Sequence, residues 1–172
     1  MDIKLYNDFL NLEQWQYAVQ QTVQGRTWEF SGFSNTNKTE PKFWYMDLDN
    51  DSFFVDTMFP KICDVTGKKF ALERVYANGQ THGLSGNLHQ DQIGGNGEYY
   101  TFLYYPGPFW NPTWGGYTVF HNPVDDTIYS QYPTPNSAVL FNSEILHAGL
   151  EPTRHCTDLR VTIAFKMKLE PQ

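Results

Sequence analysis

Basic runs are absent from this 172-residue chain, whose 12 Lys and Arg are outnumbered by 19 Asp and Glu for a formal net charge of −7. A sequence-independent grip on nucleic acid or anionic lipid needs clustered cations, so neither partner is expected. Cysteine is scarce, with Cys63 and Cys156 far apart and no CxxC spacing, which argues against a disulfide framework or a cysteine-built zinc site and for two free buried thiols. No uninterrupted apolar stretch reaches the length of a membrane span. The opening MDIKLYNDFLNLEQ lacks the basic start and apolar core of a secretory leader, so a cytoplasmic location is expected. Repeats and low-complexity linkers are also missing, so residues 1–172 are read as a single domain.

What the chain has in quantity is aromatic residues, 17% of the total, a bias toward β structure. The segment NLEQWQYAVQQTVQG spaces Leu12, Trp15, Val19 and Val23 by three or four. Asn11 is a candidate N-cap with Gln14 completing a capping box, and Gly25 a stop signal. A second helix is expected through SFFVDTMFPKICDVTG, kinked or split at Pro60. From Lys69 onward, seven short runs rich in β-formers follow: KFALERVYA, EYYTFLYY, GGYTVFH, TIYSQY, SAVLFN, EILHAG and LRVTIAFKMKL. The expected fold is therefore mainly β (α+β), a jelly-roll core over residues 69–168 with a helical support region, residues 1–68, on one outer face.

Within LHQDQ, strand alternation points His89 and Asp91 the same way, so both can reach one ion. His147 in EILHAG is the candidate third ligand. Two histidines and one carboxylate on one octahedral face leave three positions open, the arrangement non-haem Fe(II) uses to bind a co-substrate and oxygen. Each motif has a plainer reading, HxD as a turn and His147 as a core histidine. In LRVTIAFKMK, Val161, Ile163 and Phe165 form one face while Arg160 and Thr162 share the other. If that face lines a barrel, Arg160 must meet an anion, and a carboxylate fits its planar fork; on an edge strand it would simply face solvent.

Taken together, His89, Asp91, His147 and the RxT pair Arg160 and Thr162 resemble the iron(II)- and 2-oxoglutarate-dependent dioxygenases, most closely their prolyl 4-hydroxylase-like branch. Tyr76-Ala-Asn-Gly79-Gln80 before HxD, Tyr104-Tyr105-Pro106 after it, Trp114-Gly115-Gly116, and Pro135 with Ala138 to Phe141 ahead of His147 and Pro152 follow that branch's order over residues 69–168. The resemblance implies a double-stranded β-helix in which His89, Asp91 and His147 bind Fe(II). It implies that Arg160 holds the distal carboxylate of 2-oxoglutarate, assisted by Tyr105, Thr162 and Tyr76, with O2 as co-substrate and ascorbate as a candidate accessory reductant. The implied reaction is hydroxylation of a C–H bond, first of all in a prolyl residue of a peptide or protein, with release of succinate and CO2. The same chemistry on a free amino acid or other small metabolite is the alternative, and a non-catalytic jelly-roll binding module the alternative of a different class. Trp110 and Trp114 in PGPFWNPTWGG are expected at the substrate rim, and residues 78–87 are a candidate lid. His82, His121 and His155 are expected to be structural or superficial.

Overall fold

The computed structural model describes residues 2–25, 27–33 and 42–171. Helix α1 spans Leu12–Gln21 and α2 Phe59–Thr66; the strands are β1 (Ile3–Tyr6), β2 (Glu29–Gly32), β3 (Phe43–Asp47), β4 (Phe70–Gln80), β5 (Tyr99–Tyr105), β6 (Thr118–Asn122), β7 (Thr127–Gln131), β8 (Ser137–Asn142), β9 (Leu146–Gly149) and β10 (Arg160–Leu169). A seven-stranded sheet in the order β1-β8-β5-β10-β4-β3-β2 faces a three-stranded sheet in the order β7-β6-β9. All pairings are antiparallel. This is the double-stranded β-helix that the seven runs predict.

Residues 1–68 are more than a helical support, however, because β1, β2 and β3 extend the large sheet at both edges. These strands of four or five residues take their stability from partners far along the chain, such as Leu5 opposite Val139. Local periodicity cannot register such pairing.

Two apolar layers follow from the alternation along the large sheet. On its outer face, Val161, Ile163, Phe165 and Met167 of β10 join Phe102 and Tyr104 of β5 under Ala18, Phe54, Met58 and Ile62 of the helical segments. Between the sheets, Phe120 and Phe141 pack at 5.0 Å with Val139, Leu103 and Ala164. Each buried ring there contributes roughly 2–3 kcal/mol.

The helices start and stop for local reasons. Asn11 Oδ1 accepts from the Gln14 amide at 2.9 Å while the Gln14 side chain accepts from the Asn11 amide at 3.4 Å, the expected capping box. Helix α1 ends at Gln21, before Gly25, because the Thr22 hydroxyl donates to the Ala18 carbonyl at 2.7 Å and closes the last turn. Pro60 sits in the first turn of α2, where a missing N–H costs nothing, and a π-helical turn over Phe53–Met58 leads into it. The Trp15 indole donates to the Pro106 carbonyl at 2.7 Å, fastening α1 to the end of β5. Asn136 binds the Leu10 amide and carbonyl and accepts from the Tyr104 hydroxyl, so it ties the N-terminal segment to the turn before β8.

Both cysteines are free and half-buried. No helix among the described residues is long and apolar enough to cross a membrane.

Candidate active site

A cavity of about 850 Å³ opens between the sheets, a size typical of small-ligand sites. On β10 the residues between the outer-face apolar ones, Arg160, Thr162, Ala164 and Lys166, all line it. Tyr76, Asn78 and Gln80 of β4 line the adjoining wall.

His89, Asp91 and His147 converge in this cavity with their ligand atoms all within 4.8 Å of one another. The backbone sets this spacing, since His89 and His147 pair through reciprocal amide–carbonyl bonds of 3.0 and 2.9 Å, and the Asp91 amide donates to Ser143 at 2.9 Å. Each imidazole Nδ1 lies 2.8 Å from a carbonyl oxygen, Asn87 for His89 and Ile145 for His147. A carbonyl can only accept, so Nδ1 carries the proton and the Nε2 lone pair is free to bind a metal. The two Nε2 atoms stand 3.4 and 3.3 Å from the Asp91 carboxylate oxygens. Burial pushes the His147 imidazole below its ordinary value, against the pull of Asp91, which keeps it neutral. Burial alone would raise the Asp91 carboxyl, but the Lys166 ammonium beside it holds it well below the usual carboxylate range. A donor set of two imidazoles and one carboxylate, already gathered at this spacing, fits a six-coordinate divalent ion with exchangeable positions.

Arg160 is 2% exposed, and no carboxylate among the described residues pairs with it. Its guanidinium donates to the Gly116 carbonyl at 2.5 Å, to Gln80 Oε1 at 2.6 Å and to Thr118 Oγ1 at 2.8 Å. Burial lowers its pKa to about 10, so it stays cationic at neutral pH, and two of its five N–H donors remain. Gly116 and Gly149 make room for it, since an added Cβ would lie 3.1 Å from its Cδ at Gly116 and 3.2 Å from its Nη1 at Gly149. A buried, oriented cation without a protein anion fits a ligand carboxylate.

Tyr105 does not line the cavity; its hydroxyl donates to Thr118 Oγ1 at 2.9 Å, behind Arg160. Thr118 thus accepts from both Tyr105 and Arg160, which leaves its own proton for a ligand in the cavity. Thr162 and Tyr76 lie on the cavity wall. Trp110 and Trp114 are not at its rim. Trp110 is 7% exposed, donates to the Gly115 carbonyl at 2.9 Å and packs on Trp114, because the loop folds back against the Gly116 side of Arg160. Phe33, Phe43, Tyr45 and Ile93 line the cavity instead. The 78–87 stretch is tied down: residues 78–80 belong to β4, the Gly86 amide donates to Gly149 at 2.9 Å, and Ser85 Oγ accepts from the Glu151 amide at 3.0 Å. His82 and His121 pair with Glu151 and Asp126, and His155 is exposed.

Several contributors went unnoticed in the sequence: Thr118, Gln80, Thr101 and Lys166. Thr101 Oγ1 donates to Asp91 Oδ2 at 2.6 Å and contacts Ser143 at 3.0 Å. Lys166, its side chain 13% exposed, pairs with the same carboxylate oxygen. The signal for Lys166 was present, since the alternation that pairs Arg160 with Thr162 places it on the same face.

The profile of a family described as the 2OG-Fe(II) oxygenase superfamily matches residues 74–166. Comparison with curated proteins finds no match. Among solved structures, the chain is similar to a prolyl hydroxylase in complex with a hypoxia-inducible-factor peptide fragment from Trichoplax adhaerens, with TM-score 0.75, 17% identity, and coverage of 96% of this chain and 83% of that one. A Pseudomonas putida prolyl-4-hydroxylase aligns with TM-score 0.66 and 15% identity over 96% and 92% of the two chains. SnoN, a non-heme α-ketoglutarate-dependent epimerase from nogalamycin biosynthesis, aligns with TM-score 0.69 and 11% identity over 96% and 76%. At these identities the likeness concerns the fold.

Proposed function

Because this chain belongs to the 2OG-Fe(II) oxygenase superfamily, we propose that it uses Fe(II), 2-oxoglutarate and O2 to hydroxylate a C–H bond, with a prolyl residue of a peptide or protein as the first substrate to test. The observation that carries the reading is the single cavity that holds both the His89, Asp91 and His147 donor set and the anion-seeking Arg160. Bound together, the iron and its co-substrates supply the oxidation that turns C–H into C–OH with release of succinate and CO2.

The chain's own residues bind and orient. His89 and His147 present Nε2 with their tautomers fixed by carbonyls, and Asp91 stays ionised through Lys166 and Thr101. Arg160, held by Gln80, Thr118 and Gly116, takes the distal carboxylate of 2-oxoglutarate, and Thr118 donates to it. Tyr105 acts through Thr118, while Thr162 and Tyr76 bound the volume in which the co-substrate lies. No side chain has to serve as nucleophile or general base; substrate held in register is substrate oxidised at one carbon. Ascorbate is expected to prolong turnover as a reductant, and the cytoplasm is the expected compartment.

A small metabolite as substrate is favoured by one observation, Arg74 beside Lys166 in the cavity wall, which pairs with no carboxylate among the described residues and which a neutral prolyl peptide would leave unmatched. The test is anaerobic. Fe(II) and 2-oxoglutarate added to metal-free protein should give a weak visible charge-transfer band, absent in His89→Ala and needing far more 2-oxoglutarate in Arg160→Ala. A folded wild-type protein that gives no band and binds neither component refutes the proposal.

A further inference from the structure

Lys166 and Arg74 are direct cross-strand partners of β10 and β4, and both line the cavity. Like charges placed opposite each other on one sheet face repel, so the pair is unfavourable unless an anion lies between or beside them. Arg74 stacks on Tyr76 with its guanidinium carbon 4.3 Å from the ring centroid, and Lys166 Nζ lies 5.8 Å from the same centroid. Tyr45 stands beside Tyr76 at 5.5 Å. Glu73, at the bulge in β4, borders the same opening but forms no ion pair with either cation among the described residues. Among the described residues, the only carboxylate that Lys166 meets is Asp91.

Asp91 is already committed by the function proposed above, on which this inference rests. A divalent ion and Arg160 together are matched in charge by Asp91 and the two carboxylates of 2-oxoglutarate. In that count Lys166 is left over, since its ion-pair partner among the described residues is the already matched Asp91, and the exposed Arg74 adds to the excess. A neutral substrate would leave the largely buried Lys166 charge without a counterion, beside the exposed Arg74 at the opening.

We propose that Lys166, with Arg74 as the outer member, forms a carboxylate-binding subsite of the substrate pocket, so that the substrate bears an anionic group next to the carbon that is oxidised, with its apolar body against Tyr45 and Tyr76. Both a free or N-acylated amino acid and an acidic residue beside the target in a peptide supply this chemistry. Lys166 therefore selects the substrate rather than performing chemistry on it.

The test uses the full chain loaded with Zn(II) and saturating 2-oxoglutarate, so that nothing turns over, after the Fe(II) charge-transfer band has been recorded. Calorimetry measures the N-acetyl derivatives of proline, leucine, lysine and tyrosine, each against its own amide, and acetyl-Pro-Asp-amide against acetyl-Pro-Asn-amide. At least one acid should bind about tenfold or more tighter than its neutral partner. A preference in the first set identifies the substrate's own carboxylate, and one confined to the peptide pair identifies a neighbouring acidic residue. Measured at saturating Zn(II) and 2-oxoglutarate, Lys166→Met should bring the preference to within about threefold even though metal binding weakens with loss of the Asp91 partner, Lys166→Arg should restore most of both, and Arg74→Met should lower the preference less and keep the band. No acid preferred over its amide, or a Lys166→Met variant that weakens metal binding while the preference survives, overturns the subsite; in the latter case the ammonium serves Asp91. A wild-type protein without the band overturns the oxygenase reading, and this inference with it.

Discussion

Replacing Arg160 with methionine separates what this side chain costs the fold from what it gives the co-substrate. A guanidinium held at about 10 rather than 12.5 by burial carries roughly 3 kcal/mol of desolvation cost when no anion lies beside it. Against this stand three hydrogen bonds, to Gly116, Gln80 and Thr118, each worth about 1 kcal/mol net. Methionine has a similar volume, so Arg160→Met should change the stability of the ligand-free protein by no more than about 2 kcal/mol. For 2-oxoglutarate the balance is different, because one partner of a buried charge pair is removed. The loss there should be roughly 3–5 kcal/mol, about a hundredfold to several thousandfold in affinity. At a concentration one hundred times the wild-type Kd, 2-oxoglutarate stabilises the wild type by about 2.7 kcal/mol, which for a chain of this size raises Tm by about 5–10 °C. The variant at the same concentration should gain about 2 °C or less. Denaturant titration without ligand and thermal melts with Zn(II) and 2-oxoglutarate measure the two effects. Destabilisation above about 4 kcal/mol, or a ligand-induced rise in Tm equal to wild type, would refute the reasoning.

Burial raises the Tyr105 phenol to about 12, above its ordinary value of 10.0, so the unfolded chain loses this proton first. Stability from Tyr105 is therefore full below about pH 10 and falls by roughly 2–3 kcal/mol as pH rises to about 12. Tyr105→Phe should cost about 1 kcal/mol at neutral pH and flatten that alkaline decline in urea titrations; parallel declines would contradict the assignment. Asn136→Ala removes the bonds to both polar backbone groups of Leu10 and to Tyr104 and places alanine at a φ of 55°, so a loss of roughly 3–4 kcal/mol is expected in denaturant melts. A loss under about 1 kcal/mol would mean that the N-terminal segment is fastened elsewhere. Phe120→Ala should cost about 3–5 kcal/mol by opening the layer between the sheets.

The cavity face of Arg160 and Thr162 is legible in the sequence because a period of two is a rigid geometric rule, whereas His89 and Asp91 lie in the connection between β4 and β5, and their approach to His147 is set by the His89–His147 bridge rather than by strand alternation. The same rule, followed one more step past Ala164, leads to Lys166, although a lysine belongs to no metal-ligand or carboxylate-binding motif at that spacing. Gln80 shares the Tyr76 and Asn78 face of β4 by the same rule, but its contact with Arg160, like that of Thr118, joins strands far apart in sequence and leaves no local pattern. Trp110 and Trp114 were misplaced because a run rich in proline and tryptophan says that rings must be buried or stacked, but not which way the loop turns. The three N-terminal strands were illegible for a related reason: IKLY or EFSG is a strand only because of what lies beside it.

The placement of those strands has a consequence for how the chain can be cut. On one side β1 covers β8, and on the other β3 and β2 cover β4, so the first third of the protein guards both open margins of the large sheet. A fragment beginning at residue 69 would keep His89, Asp91, His147 and Arg160 but bare two rows of unpaired amides and carbonyls. It would also lose the helical segments over Phe102, Ile163 and Phe165. Such a piece is a template for edge-to-edge association, and its expected fate on expression is aggregation rather than a smaller enzyme.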